Sequence, residues 1–187
     1  MTPGTNRMWA PRWLAGVAAA ATMALCTGAG ATNAVVGRQS DSAVRARVLE
    51  LVNVARSRDR KCGSDKFVAA PPLSASRALD EAAAEHARDM ARKDYFEHRG
   101  SDGSEPRDRV RRAGYKSRLT GENIALGPES AEEVVAGWLH SPGHCENIMD
   151  PRFRDIGIGL ASGPGRGKTY WVQTFGQPAP REHHAGN

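Results

Sequence analysis

Three side chains are the candidates for chemistry near neutral pH: His98, Glu122 and His144. Two imidazoles and a carboxylate suit zinc, with water completing the shell. They equally suit a general acid/base pair in which the glutamate orients one ring. Their spacing does not by itself bring them together. His144 has the most telling surroundings, because Gly137–Met149 reads Gly-Trp-Leu-His-Ser-Pro-Gly-His-Cys-Glu-Asn-Ile-Met. Pro142 must end the helix carrying Trp138 near His140. Ser141 then supplies a capping hydroxyl and Pro142 a preset φ for a new short helix. In that helix's first turn the free N–H groups and the dipole favour a neutral His144 ring. Neutral imidazole is the form that ligates a metal or accepts a proton. The plainer alternative is a helix corner whose histidine only satisfies backbone groups. No phosphate-binding glycine loop, His-Glu-x-x-His helix or nucleophile elbow is present. The hydroxyls of Ser101 and Ser141 are accounted for by turn and capping chemistry.

The elements that must position these residues follow from apolar spacing. Asp41 to Arg58 is predicted helical, with Val44, Val48, Leu51, Val52 and Ala55 recurring on one side. Asp59 to Pro72 reads as a loop. Leu73 to Lys93 is a second helix, with Ser76 as a cap and Leu79, Ala82, Ala83, His86, Ala87 and Met90 on its apolar face. His86 on that face is expected to bond a backbone carbonyl. Tyr95 and Phe96 should pack on the core while His98 points elsewhere. Ser104 opens a short basic helix that Gly114 ends. Its Arg107, Arg109, Arg111 and Arg112 form the only dense basic cluster, read as a solvated face rather than a groove for anionic polymer. Gly121–Ala125 is a strand or strand end. Ser130-Ala131-Glu132-Glu133 is a capping box for the helix of Val134, Val135 and Trp138. Phe153–Ala161 and Thr169–Phe175 alternate as the strands of a hairpin. Helices first and a closing hairpin make an α/β domain with an antiparallel sheet.

Residues 1–34 have the form of a secretory signal peptide. Arg7 and Arg12 lead, no acidic residue precedes Asp41, and Trp13–Leu25 is an apolar run too short to span a bilayer comfortably. Cleavage is expected after Ala31 or Ala34, with a retained anchor as the alternative. Residues 35–43 would form a linker, 44–178 the domain and 179–187 a disordered tail, in which His183-His184 is too short for a metal site. Export discards Cys26 and leaves Cys62 and Cys145, an even pair that argues for one disulfide in an oxidising compartment. The net charge falls from +5 to a mild +3 when Arg7 and Arg12 are removed, and a nucleic-acid partner would want a stronger basic groove.

From Leu49 to Phe175 the chain resembles the CAP superfamily of cysteine-rich secretory proteins, insect venom antigens and plant pathogenesis-related proteins, in its bacterial secreted branch. The matching pieces are Leu51-Val52-Asn53 with Arg56, His86–Ala91, Tyr95-Phe96 with His98, and Gly121–Ala125. Trp138 with Ser141–His144, Asn147–Met149, Gly157–Gly159 and Tyr170–Gly176 follow in the family's order. The resemblance implies an α-β-α sandwich with a small, mainly antiparallel central sheet. It implies a cleft lined by two His and two Glu, able in some members to hold a divalent metal. Carried over, His98 and His144 are the two His and Glu122 the first Glu. The second Glu, three residues after the Trp in eukaryotic members, is Ser141 here, so the set is incomplete and zinc would bind weakly at His98, Glu122 and His144. Glu146 is a weaker substitute for the missing carboxylate. No cofactor is required. The family's associations imply a secreted monomer, without a transmembrane segment once mature, whose cleft or loops bind a lipid, a cell-wall component or a protein. The alternative is a metal-assisted hydrolase.

Overall fold

The computed structural model describes residues 30–164 and 168–180. The expected leader falls outside these residues up to position 29, and His183-His184 falls outside them too. Helix α1 spans Gly30–Arg56 and therefore runs through the stretch expected as a linker. The expected loop from Asp59 is partly ordered pairing instead. Strands β1 (Arg60–Cys62) and β2 (Asp65–Phe67) form an antiparallel hairpin. Its two-residue turn starts at Gly63, whose φ of 61° suits glycine.

Helix α2 is Arg77–Lys93, and Ser76 caps it by accepting from the Leu79 N–H. The residues before the cap, Ser74–Ala75, form β3 rather than helix. Asp94 ends α2 in the left-handed conformation at φ 52°. That turn returns Tyr95 to the α2 cluster, whereas Phe96 points outward and is exposed, contrary to expectation. Helix α3 (Pro106–Arg112) is entered through Glu105, one residue after Ser104, with the Asp108 carboxylate accepting from the Glu105 N–H. Strand β4 (Ser117–Leu126), helix α4 (Ala131–His140), helix α5 (Pro142–Met149) and strands β5 (Asp155–Ser162) and β6 (Thr169–Pro178) complete the chain. Ser130 caps α4 through the Glu133 N–H. Ser141 occupies the corresponding position before α5, but its hydroxyl makes no capping bond there.

Alternation along the strands sorts the core into two layers. The sheet order is β3-β5-β6-β4, antiparallel except for the short β3–β5 pair. Ile156, Ile158, Trp171 and Phe175 meet Val48 and Val52 of α1, Trp138 of α4 and Ile148 and Met149 of α5. Ile124, Tyr170 and Val172 meet Ala83, Ala87, Met90 and Ala91 of α2 on the opposite face. Val110 of α3 joins Leu79 and Ala82 beside that layer. The result is the expected α-β-α sandwich. On the α2 face of β5 stand Gly157 and Gly159. A Cβ there would lie 2.0 Å from the Leu79 carbonyl carbon and 2.2 Å from that of Ala83, so α2 lies flush on the strand. The Cys62–Cys145 disulfide joins the β1–β2 hairpin to α5, as expected.

Candidate functional site

Strand β4 is an edge of the sheet, so groups on either side of it can meet around the edge. Strand alternation sends Glu122 to the same face as Ile124, toward α2, and Asn123 to the α5 face. Glu122 is buried, and both of its carboxylate oxygens have partners. Oε1 accepts from His98 Nδ1 at 2.9 Å, and Oε2 accepts from the Arg109 guanidinium at 2.8 Å. Arg109 also donates to the His98 carbonyl at 2.9 Å and to the Ser104 carbonyl at 2.9 Å. It thereby holds the chain on both sides of the 99–103 loop while neutralising the carboxylate.

Arg109 corrects the reading of the arginine cluster as a solvated face. Arg107, Arg111 and Arg112 are exposed, but Arg109 is 2% exposed. A buried carboxylate and guanidinium are tolerated because hydrogen bonds offset part of their desolvation. The signal was available: Pro106, Arg109, Val110 and Ala113 sit at i, i+3, i+4 and i+7, the inward stripe of the helix.

His86 lies fully buried beside this pair, with Nε2 at 2.9 Å from the Glu97 carbonyl, as expected of a histidine on an apolar helix face. Its Nε2 is 3.9 Å from Glu122 Oε1. Burial pushes its pKa down, outweighing the pull of Glu122, so the ring is neutral and donates its proton to Glu97. His98 shifts the other way. Its hydrogen bond to Glu122 favours the imidazolium more than partial burial disfavours it.

His144 reaches the edge from α5. Asn123 Nδ2 donates to the His144 carbonyl at 3.1 Å, and Asn147 Nδ2 donates to the Glu122 carbonyl at 3.2 Å and to Asn123 Oδ1 at 2.8 Å. Asn123 also donates to Gln173 on β6 at 2.9 Å. This run of amides ties the first turn of α5 to β4. The His144 pKa is lowered, as the neutral-ring expectation required. The causes are burial first and the neighbouring charge of His98 second, rather than the helix dipole. Ser141 stands at the corner between α4 and α5, its N–H bonded to the Trp138 carbonyl at 3.2 Å. Sequence reasoning missed the two asparagines as well as Arg109. An amide that packs inward on a strand looks, in sequence, like any other polar residue.

The donor chemistry limits what this edge can hold. Among the described residues, no group of three or more His, Cys, Asp or Glu side chains is arranged to take a metal ion. The Glu122 oxygens are turned to His98 and Arg109. The imidazoles of His98 and His144 are left as donors.

The model of the cysteine-rich secretory protein family, CAP, matches residues 49–175. The chain belongs to this family. Over 136 residues it is 33% identical to the uncharacterized protein YkwD of Bacillus subtilis (strain 168), covering 73% of this chain and 48% of that protein. Among solved structures it resembles an extracellular protein containing an SCP domain from Bacillus anthracis str. Ames. That likeness has 27% identity and a TM-score of 0.61 and covers 73% of this chain and 41% of that one. An outer surface protein from Borrelia burgdorferi is similar at 25% identity and TM-score 0.54, over 59% of this chain and 80% of that one. The chain thus spans about half the length of YkwD and less than half of the Bacillus anthracis protein. Among the described residues no helix is long and apolar enough to cross a membrane. Within the CAP frame, the edge of β4 brings His98 and Glu122 into direct contact, and the Asn123 bond to the His144 carbonyl ties the first turn of α5 to that edge.

Proposed function

We propose that this CAP domain is an exported binding module, and that the β4 edge with His98, Glu122 and His144 is its binding cleft rather than a hydrolytic centre. One observation carries the reading. Both oxygens of Glu122 are engaged, one by His98 and one by the buried Arg109. A buried carboxylate with one oxygen on the His98 ring and the other on the Arg109 guanidinium is placed to orient that ring and balance that charge rather than to take a proton from substrate itself. A carboxylate behind a histidine fixes the tautomer and presents the other ring nitrogen outward, the arrangement that supports a ligand or a metal ion. His98 Nε2 and a neutral His144 would hold a divalent ion, and water would fill its remaining positions. Such an ion would supply a Lewis-acidic contact for an anionic or carbonyl group of the bound target. The targets that fit an exported CAP module are a cell-wall component, a lipid or a protein.

The test is cosedimentation of the purified domain with peptidoglycan sacculi and with phospholipid vesicles, run beside ester and peptide hydrolysis assays with added zinc. The expected result is retention by one of the two surfaces, weakened in His98→Ala and His144→Ala, with no turnover. Turnover that disappears in Glu122→Gln would overturn the reading in favour of a metal-assisted hydrolase. Retention indifferent to both histidine substitutions would remove the cleft as the binding surface.

A further inference from the structure

A separate polar cavity of about 210 Å³ lies between α2 and α3 beneath the 100–104 loop. Helix α2 contributes Glu85, His86, Asp89 and Arg92 to its wall, and α3 contributes Arg109 and Arg112. Ser101 and Asp102 close it from the loop. It shares His86 and Arg109 with the cleft but contains neither His98 nor His144. Its three guanidiniums face three carboxylates, so the wall has no formal net charge.

Most of these groups are already committed. Arg112 pairs with Asp102 at 2.7 Å and with Glu85 at 3.2 Å. Asp89 accepts from the Tyr95 hydroxyl and from the N–H and hydroxyl of Ser101. Two groups are less so. Arg92 makes only a loose ion pair with Asp89 at 3.9 Å, beyond hydrogen-bond distance, so its N–H donors are not taken up by it. His86 Nδ1 is buried and has no hydrogen-bond partner among the described residues. Because Nε2–H is given to the Glu97 carbonyl, Nδ1 carries a lone pair and requires a donor. A buried acceptor left without one is destabilising, and such groups are rare enough to need an explanation.

The occupant must therefore donate to His86, accept from Arg92, and carry little net charge into a neutral wall. A hydroxyl group does both kinds of bonding, and several on a small frame meet both demands at once. We propose that this cavity is a binding site for a neutral polyhydroxylated molecule of monosaccharide size, one hydroxyl donating to His86 Nδ1 and another accepting from Arg92. The inference stands independently of what the cleft binds.

The test is a titration of the ¹⁵N-labelled protein followed at the histidine ring nitrogens. The probes are glucose, N-acetylglucosamine and sorbitol up to about 100 mM, with glycine and inorganic phosphate as charged comparators. The expected result is a saturable shift of the His86 Nδ1 signal with at least one polyol, at a millimolar Kd. Arg92→Ala should weaken that binding roughly tenfold, as befits one charge-assisted hydrogen bond. Arg92 is exposed, so the thermal midpoint of this variant should match wild type. A His86 Nδ1 signal that no probe moves would overturn the proposal and leave the cavity to water. Shifts confined to His98 and His144, tighter binding of glycine or phosphate, or affinity unchanged in Arg92→Ala would overturn it equally.

Discussion

Arg109→Met tests the central claim, that a buried arginine organises the site. The substitution keeps much of the side-chain volume and removes four contacts: those to Glu122 Oε2, the His98 carbonyl, and the carbonyl and hydroxyl of Ser104. Both members of the pair have side chains 3% exposed, so solvent cannot replace the lost partner. Breaking a buried pair from one side costs about 3–5 kcal/mol, because the other charge stays behind unpaired. For a domain of this size that is a fall of roughly 10–15 °C in the melting midpoint. Calorimetry at pH 7 on wild type, Arg109→Met, Glu122→Gln and the double variant measures it. The double variant leaves no lone charge and should recover a large part of the loss, giving a coupling energy above about 1.5 kcal/mol. A single variant melting within about 3 °C of wild type would refute the reasoning. So would a double variant no more stable than Arg109→Met, since the cost would then come from packing rather than from the stranded carboxylate.

Trp138 is 1% exposed and its indole N–H donates to the Ile124 carbonyl, so Trp138→Ala should cost about 3–5 kcal/mol, read from the same melts. The disulfide spans a sequence separation of 83; a thiol assay on denatured, unreduced protein should find no free Cys62 or Cys145, and reduction should lower stability by up to about 4.5 kcal/mol. In a histidine NMR titration, His98 should titrate above its ordinary 6.5 and His144 below it. The His98 contribution to stability is complete below pH 6.5 and fades as pH rises through its raised midpoint, whereas that of His144 is complete above 6.5 and fades as pH falls through its lowered midpoint. Zinc should bind at about micromolar affinity or weaker by calorimetry, lose affinity as pH falls through the raised His98 midpoint above 6.5, and fail to bind His98→Ala.

Elements set by local rules were legible before any coordinates. Ser76 and Ser130 cap the helices they precede, the helix around His86 buries the face its spacing gives, and the last two strands alternate as read. The two cysteines could be paired from the expected export and parity alone. What escaped was set by distant contacts. Helix α2 loses its expected first turn because Ser74 and Ala75 pair with Asp155 and Ile156, far along the chain. Arg109 looked like one arginine among four because its partner, Glu122, lies across the fold. His98, Glu122 and His144 stood out by their chemistry, and only the family resemblance gave a reason to group them. The contact of His98 with Glu122 is made at β4, the outermost strand, which no spacing between them encodes.

The two glycines on β5 act as a ruler. Ordinarily a helix rides over a sheet on interleaved side chains, and a change in one of them is absorbed by its neighbours. At Gly157 and Gly159 nothing is interleaved: the main chain of α2 rests on the main chain of β5, with no compressible layer between. The height of α2 above the sheet, and with it the position of His86 over Glu122, is therefore fixed by atomic radii. A single methyl group at either glycine would lift the helix bodily and open the polar pair beneath it to water. The tolerances of this site are thus written in two positions that carry no chemistry of their own.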